Sequence, residues 1–194
     1  MANNDTYIEQ EEFCKNIVNE YKNNKFHVCG PNIISLVDNK KQNPIPKLFH
    51  SIKDVKVKII KFRILLLLSF VRADTLLMKF VDYRNSKKGK KRIASVSEEF
   101  QIHGSCMIFS PMYIRNYEGL CDRTFMYVEE SFLKFISDRD NLNMIYSENI
   151  VIYHKEDSAT NASMNKEYMK RRFYYENSIK SCSELIKLMK GIVE

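Results

Sequence analysis

Two adjacent carboxylates, Glu129 and Glu130, begin a segment whose apolar residues recur with helical spacing. Neighbouring residues on a helix point about 100° apart, so only one of the two can face a given site. A carboxylate that faces a cleft can accept a proton from a hydroxyl group as a general base. Alternatively, both belong to the solvated first turn, where the helix dipole favours acidic residues.

The tripeptide His103-Gly104-Ser105 is a second candidate for chemistry. A glycine between two polar residues allows the backbone to approach a ligand closely, with the imidazole and hydroxyl as hydrogen-bonding groups. The alternative is a bulge or turn without a ligand. A serine nucleophile is not expected, because no nucleophile elbow surrounds Ser105.

Asp5 and His154 form the third candidate. A carboxylate oxygen and an imidazole nitrogen can together bind a divalent metal ion. The alternative is that each is an ordinary structural or solvated residue, and the spacing alone favours that alternative.

The elements that must position these residues follow from periodicity and capping signals. Thr6 and Glu9 form a capping-box pattern before an apolar stripe, which predicts a helix over 7–22. Further helices are predicted over 59–71, after Ser110-Pro111, around 128–136 and over 168–189, and short strands over 26–29 and 150–153. Helices and strands alternate, so the expected fold class is α/β, with one domain over 1–194 and surface loops at 38–47 and 84–92.

Composition limits the classes of protein and partner. The 194 residues are 44% hydrophobic and include five cysteines without a CxxC pattern, which indicates a globular chain in a reducing compartment. The first residues lack the basic and apolar regions of a signal peptide. Residues 40–92 contain sixteen Lys/Arg and three Asp, an excess of +13. Such a segment suits nucleic acid, an anionic membrane surface or a phosphorylated substrate, unless it is only a solvated face.

The apolar run 59–71 is shorter than the roughly 20 residues that a membrane span needs. It is therefore predicted to be a helix that is either buried or lies on a membrane surface with its basic residues at the headgroups. The basic loop at 84–92 lacks interleaved aromatic residues and a recognition motif, so no nucleic-acid partner is expected.

The order of the motifs resembles the C-terminal half of a family 2 glycosyltransferase, most closely the rhamnosyltransferase-like bacterial members that build surface polysaccharides. The segments that carry the resemblance are Asn3-Asn4-Asp5, Gly30-Pro31, His103-Gly104-Ser105, FMYVEE at 125–130 and Tyr153-His154. The resemblance implies a partial GT-A fold with a long C-terminal helix. It also implies that the N-terminal nucleotide-binding βαβ half is missing, so that the chain is expected to be truncated or to need a partner chain.

The resemblance also implies roles for individual residues. Asp5 would hold Mg²⁺ or Mn²⁺ against the donor diphosphate, with His154 near the metal. Glu130 would be the general base and Glu129 would support it or bind acceptor. Residues 103–105 would line the pocket for the donor sugar and the acceptor.

Three residues of the last helix are also implicated by the resemblance. Asn177 matches the Asn of a loose R-N signature, but Glu176 occupies the Arg position. Arg171 or Arg172 would then supply the missing cation, and all three residues are candidates for substrate binding.

The expected function is inverting, metal-dependent transfer of a sugar from a nucleotide-sugar donor to a saccharide or lipid-linked acceptor. The expected location is the cytoplasm or the inner face of the cell membrane, as a peripheral protein. The alternatives are a non-catalytic remnant or partner subunit of a split glycosyltransferase and, from charge alone, a basic nucleic-acid-binding module.

Overall fold

The computed structural model describes residues 1–77, 79, 99–124, 126–156 and 166–192. These residues form two units. The first contains residues 1–48, 99–121 and 129–156, and the second contains the described parts of 49–79, 122–128 and 166–192. The predicted loop at 84–92 lies outside the described residues.

Strands and helices are mixed along the chain, in agreement with the predicted α/β class. The strands are β1 (Thr6–Tyr7), β2 (Val28–Ser35), β3 (Ile45–Pro46), β4 (Phe100–Gln101), β5 (Ile108–Phe109) and β6 (Met144–His154). The helices include α1 (Phe13–Asn24), α2 (Ile52–Phe70), α3 (Pro111–Ile114), α4 (Glu129–Arg139) and α5 (Glu167–Met189).

A four-stranded mixed sheet of order β1-β6-β2-β5 forms the centre of the first unit, and β3 pairs with β4 beside it. β2 runs parallel to β6, whereas β1 and β5 are antiparallel to their neighbours. β2 is buried along nearly its whole length, as is typical of a strand in the interior of a sheet. The predicted end of this strand at residue 29 is wrong, because β2 continues through Gly30 and Pro31 to Ser35.

The continuation of β2 past Pro31 coincides with an irregularity in strand pairing. Pro31 pairs with Ser147, but Asn32 pairs with Val151, so three residues of β6 have no partner in β2. A proline, which cannot donate to a strand ladder, is tolerated at such a bulge. The side chain of Gln10 donates to Asn149 O at 2.9 Å and accepts from Val151 N at 3.1 Å, and so satisfies two backbone groups of β6 next to this irregularity.

The N-terminal segment differs from the sequence prediction. α1 begins at Phe13, and Thr6–Tyr7 is a strand that pairs with Tyr153 and His154. The Thr6 hydroxyl donates to Asn3 O at 2.6 Å, so it does not cap a helix. The exposed edge of β6 offers unpaired backbone groups, and pairing with them outweighs the local capping signal.

Three other predictions for the first unit can be compared with the structure. The side chain of Ser110 caps α3, with Pro111 at the first helical position, as predicted. Glu129 and Glu130 lie in the first turn of α4, also as predicted. The predicted surface loop at 38–47 is wrong in its second half, because Asn43 and Pro44 are buried and β3 follows them.

The core of the first unit joins the sheet to α4 and α3. One cluster contains Val28, Ile102, Met107, Tyr113 and Leu133. Two smaller clusters on the sheet contain Phe26, Cys29 and Ile150, and Ile33, Cys106 and Ile152. Ile33 and Ile152 of the last cluster lie two residues before the ends of β2 and β6, and His154 ends β6.

In the second unit, α2 packs against α5. α2 begins with a capping box between Ser51 and Asp54, and its buried residues Phe62 and Leu65 contact Tyr175. The predicted helices over 59–71 and 168–189 are confirmed. Among the described residues, no helix combines the length and apolar character needed to cross a membrane.

Candidate functional site

Asp5 and His154 are neighbours in the structure, although they lie near opposite ends of the chain. Asp5 Oδ2 is 3.3 Å from His154 Nε2, and both side chains are almost buried. The pairing of β1 with the end of β6 produces this contact, because Thr6 is in register with His154. A hydrogen bond from Lys155 N to Asp5 O at 2.9 Å extends the pairing by one step.

The other ring nitrogen of His154 is held by a residue that the motif analysis did not select. His154 Nδ1 lies 2.8 Å from Gln42 Oε1, and Gln42 Nε2 donates to Glu156 Oε1 at 2.7 Å. Both ring nitrogens therefore have polar partners, which fixes the orientation of the imidazole.

The tripeptide 103–105 lies beside this pair. The rings of His103 and His154 meet edge to face, with centroids 5.9 Å apart. Ser105 N donates to His103 Nδ1 at 3.2 Å, and the Ser105 hydroxyl lies 2.9 Å from the same nitrogen. In the neutral ring Nδ1 is thus the acceptor, and Nε2 carries the hydrogen. Ser105 is buried, so this contact orders the loop and does not present a nucleophile.

Asn43 fixes the start of the same loop. Its side chain is fully buried, accepts from His103 N at 2.7 Å and donates to Pro31 O at 2.9 Å. The carboxamide thus satisfies one backbone donor and one backbone acceptor that would otherwise be buried without partners. Asn43 therefore ties the loop to β2.

Glu130 reaches the loop from the first turn of α4. Its Oε1 accepts a hydrogen bond from Gly104 N at 3.1 Å. A Cβ at position 104 would lie 2.6 Å from that oxygen, so the contact requires glycine. Burial raises the pKa of Glu130, and the neighbouring charge of Glu129 raises it further, against the lowering effect of backbone hydrogen bonds. A carboxylate with a raised pKa is better suited to accept a proton near neutral pH.

The structure therefore brings Asp5, His154, residues 103–105 and Glu130 into one connected arrangement within the first unit. The contacts run from Asp5 to His154, from His154 to His103, and from Gly104 to Glu130. Glu129 adjoins this arrangement in the same helical turn.

The residues of this arrangement fit a divalent cation. Asp5 Oδ1 is buried and has no hydrogen-bond partner among the described residues. A carboxylate with an imidazole suits Mn²⁺, and the carboxylate alone suits Mg²⁺. No cluster of three or more His, Cys, Asp or Glu side chains that could hold a metal occurs in the described part of the chain. A bound ion would thus take further ligands from a diphosphate and water, as Mg²⁺ commonly does.

A surface depression of about 300 Å³ opens next to Asp5 and is lined by Asn4, Asp5, Thr6, Tyr7 and Lys155. Lys155 is exposed, and its ammonium group lies 5.3 Å from the centre of the Tyr7 ring. A cation and a carboxylate on one small surface are suited to a diphosphate that carries a bound metal ion. Lys155 was not among the residues selected from the sequence, although its position directly after His154 could have indicated it.

Arg171, Arg172 and Asn177 belong to the second unit and have partners there. Arg171 Nε donates to the buried Asp74 at 2.7 Å. Arg172 donates to Ser69 O at 3.0 Å, and Asn177 donates to Phe173 O at 2.8 Å. Their role in substrate binding stays a prediction.

Cysteine chemistry is not supported next to the site. Cys106 follows Ser105 and is buried, and burial raises the pKa of its thiol to about 11. A thiol of this kind is not ionised near neutral pH, so Cys106 is a packing residue of the core.

Searches of protein-family models, curated proteins and solved structures gave no match to this chain.

Proposed function

We propose that this chain carries the acceptor-side catalytic part of an inverting, metal-dependent glycosyltransferase. Its reaction is the transfer of a sugar from a nucleotide-sugar donor to a saccharide or lipid-linked acceptor, in the synthesis of a cell-surface polysaccharide. The observation that carries the proposal is the connected arrangement of Asp5, His154, residues 103–105 and Glu130. Segments selected from the sequence by their order are thus also neighbours in space.

Glu130 is the proposed general base. Its carboxylate accepts the proton of an acceptor hydroxyl while the hydroxyl oxygen forms a bond to the anomeric carbon of the donor. The bond from that carbon to the diphosphate oxygen breaks, and the nucleoside diphosphate leaves with the electron pair. A single displacement of this kind inverts the anomeric centre. The burial that raises the pKa of Glu130 supports its role as proton acceptor.

Asp5 and His154 are the residues that would hold Mg²⁺ or Mn²⁺. The ion, when bound, offsets the negative charge that develops on the leaving diphosphate. Gln42 supports this function by fixing the His154 ring. Lys155, exposed beside Asp5, binds the diphosphate as a second cation.

The loop 103–105 positions the reacting groups. Gly104 allows the carboxylate of Glu130 to approach the backbone and directs Oε1 by its N–H group. The half-buried His103 lies edge to face with the ring of His154 and would line the pocket for the donor sugar and the acceptor. A loop that is held in place by such contacts aligns a substrate without the entropy loss of ordering the protein at the moment of reaction.

The experiment is a measurement of thermal stability with Mn²⁺ across UDP-, GDP- and dTDP-sugars. A ligand that binds only the folded state must raise the melting temperature. We expect a shift with one donor that requires the metal. Release of the corresponding nucleoside diphosphate, with and without saccharide acceptors, then measures turnover.

Two carboxamide variants distinguish the roles of the carboxylates. Glu130→Gln should keep the donor-dependent thermal shift and reduce turnover by at least about a hundredfold, the usual contribution of a general base. Glu129→Gln should reduce turnover less than Glu130→Gln does, because Glu129 has only the supporting or acceptor-binding role in this proposal. A chain that shows no shift with any donor would contradict a donor site here and favour the alternative of a non-catalytic partner subunit.

A further inference from the structure

The outward face of α2 carries an apolar stripe that no described residue covers. Its members are 48% to 76% exposed and follow one another at steps of three and four residues: Val57, Ile60, Ile64, Leu67 and Val71. At 100° per residue these side chains fall within an arc of about 80°. The stripe lies opposite the buried face of the helix, which packs against α5.

Basic residues surround the stripe. Lys53 lies in line with it at the start of the helix, Lys56 and Arg63 flank one side, and Lys61 flanks the other, and all four are exposed. Arg72 follows the helix and is also exposed. A stripe of aliphatic residues between cations is the pattern of a helix that lies in the headgroup region of a membrane.

Acidic residues of α2 and of the described segment directly after it do not offset these cations. Between residues 52 and 77 the sequence contains two acids, Asp54 and Asp74. Asp54 accepts from the backbone of Ser51 in the capping box, and Asp74 is fully buried against Arg171. The exposed face of α2 is therefore apolar and positive, without an exposed carboxylate.

This charge distribution distinguishes between two partners that could cover the stripe, a second copy of the chain and a lipid surface. Two copies of α2 that packed through the stripe would bring Lys56, Lys61 and Arg63 of each copy close to the same cations of the other, without acids to balance them. An anionic lipid surface instead supplies both apolar acyl chains and negative headgroups.

We propose that the exposed face of α2 and the two residues after it, from Lys53 to Arg72, bind the surface of a bilayer that contains anionic phospholipids. The aliphatic stripe enters the boundary between headgroups and acyl chains, and the flanking cations contact lipid phosphates. The proposal depends on α2 alone. It is therefore independent of the proposed transferase activity, and failure of either leaves the other standing.

Vesicle sedimentation of the full chain tests the proposal, with phosphatidylcholine vesicles compared with vesicles that also contain phosphatidylglycerol. We expect binding only to the anionic vesicles. Ile64→Ser with Leu67→Ser should lower the partition coefficient by at least about tenfold, because exposed apolar area is then lost. Lys56→Glu with Arg63→Glu should lower it by at least about tenfold, since each cation contributes about fivefold.

Matched controls are available on other surfaces. Val18→Ser removes a half-exposed aliphatic residue from α1, and Lys180→Glu reverses an exposed cation on α5. Both variants should bind like the wild type. All of these positions are exposed, so circular dichroism and melting temperature should remain close to those of the wild type.

Two results would overturn the proposal. One is a folded wild-type chain that does not bind the anionic vesicles. The other is a dimer in solution, detected by light scattering without lipid, that the Ile64→Ser and Leu67→Ser changes dissociate, because the stripe would then be occupied by a second copy.

Discussion

The backbone N–H of Gly104 donates a hydrogen bond to Glu130 Oε1 at 3.1 Å, although 26 residues separate the two in the chain. The contact joins the first turn of α4 to the loop that also holds His103 and Ser105. It directs one carboxylate of the pair at 129–130 and leaves the other outside the contact. The relationship makes residue 104 a sensitive position for the proposed chemistry.

Gly104→Ala should reduce nucleoside diphosphate release by at least about tenfold, because the new methyl group displaces the carboxylate of Glu130. The displaced atom is the end of a flexible side chain, so the free energy of unfolding should change by less than about 1 kcal/mol. Gly119→Ala is the control, since a Cβ there meets nothing within 4 Å. Equal turnover in the two variants would contradict the assigned role of Gly104.

Glu130→Gln should flatten the dependence of stability on pH. The folded chain holds the pKa of Glu130 above its ordinary value of 4.5, so wild-type stability falls as pH rises from 4.5 to the raised pKa. The carboxamide removes this loss and can still accept from Gly104 N. Its melting temperature should exceed that of the wild type at pH 7 and approach it at pH 4. If the melting temperatures of the wild type and Glu130→Gln differed by the same amount at every pH from 4 to 7, this result would contradict a raised pKa of Glu130.

Asn43→Ala should lower the free energy of unfolding by about 2 kcal/mol, because His103 N and Pro31 O would lose their partner inside the protein. Chemical denaturation measures the loss. Asn116→Ala removes an exposed carboxamide that donates to Met112 O, and should cost less than about 0.5 kcal/mol. Similar losses in the free energy of unfolding for the two variants would show that the burial of Asn43 does not increase its contribution to stability.

Asp74→Ala should destabilise the second unit by about 3 kcal/mol, because it leaves Arg171 without its buried partner. Burial is the largest single effect and opposes ionisation of Asp74. The hydrogen bond and charge of Arg171, with hydrogen bonds from Tyr175 and the backbone of Thr75, together outweigh it, so the pKa lies below its ordinary value. The contribution is therefore present at neutral pH and is lost as pH falls below about 4.

Glu167→Ala provides the comparison for Asp74, since Glu167 pairs with the same arginine but its side chain is 88% exposed. It should change the free energy of unfolding by less than about 0.5 kcal/mol. Urea denaturation at pH 7 and at pH 3 measures the free energy of unfolding of both variants. A difference between the two variants that is the same at both pH values would contradict the ionisation assigned to Asp74.

Asp5→Asn should abolish the part of the donor-dependent thermal shift that requires Mn²⁺, because it removes the carboxylate whose Oδ1 has no partner among the described residues. EDTA should have the same effect on the wild type. Asp38→Asn changes an exposed carboxylate of the same unit and should leave the shift unchanged. A metal-dependent shift that survives in Asp5→Asn would place the metal elsewhere.

Local signals in the sequence were sufficient for α3, α4 and α5. Ser110-Pro111 caps α3, and the apolar spacing around 128–136 and 168–189 gives α4 and α5. The order of the motifs gave the candidate residues, and the basic excess over 40–92 pointed to a phosphate-bearing or membrane partner. These features depend on neighbours within a few residues or on composition, so they can be derived without a structure.

Long-range pairing had to come from the tertiary structure. The local capping pattern at Thr6 favours a helix, but pairing with the edge of β6 makes Thr6–Tyr7 a strand and places Asp5 beside His154. The roles of Gln42 and Asn43 likewise depend on partners 112 and 60 residues away. Nor could periodicity decide which face of α2 is buried, because the helix is apolar on both sides and only its packing against α5 leaves the stripe from Val57 to Val71 exposed.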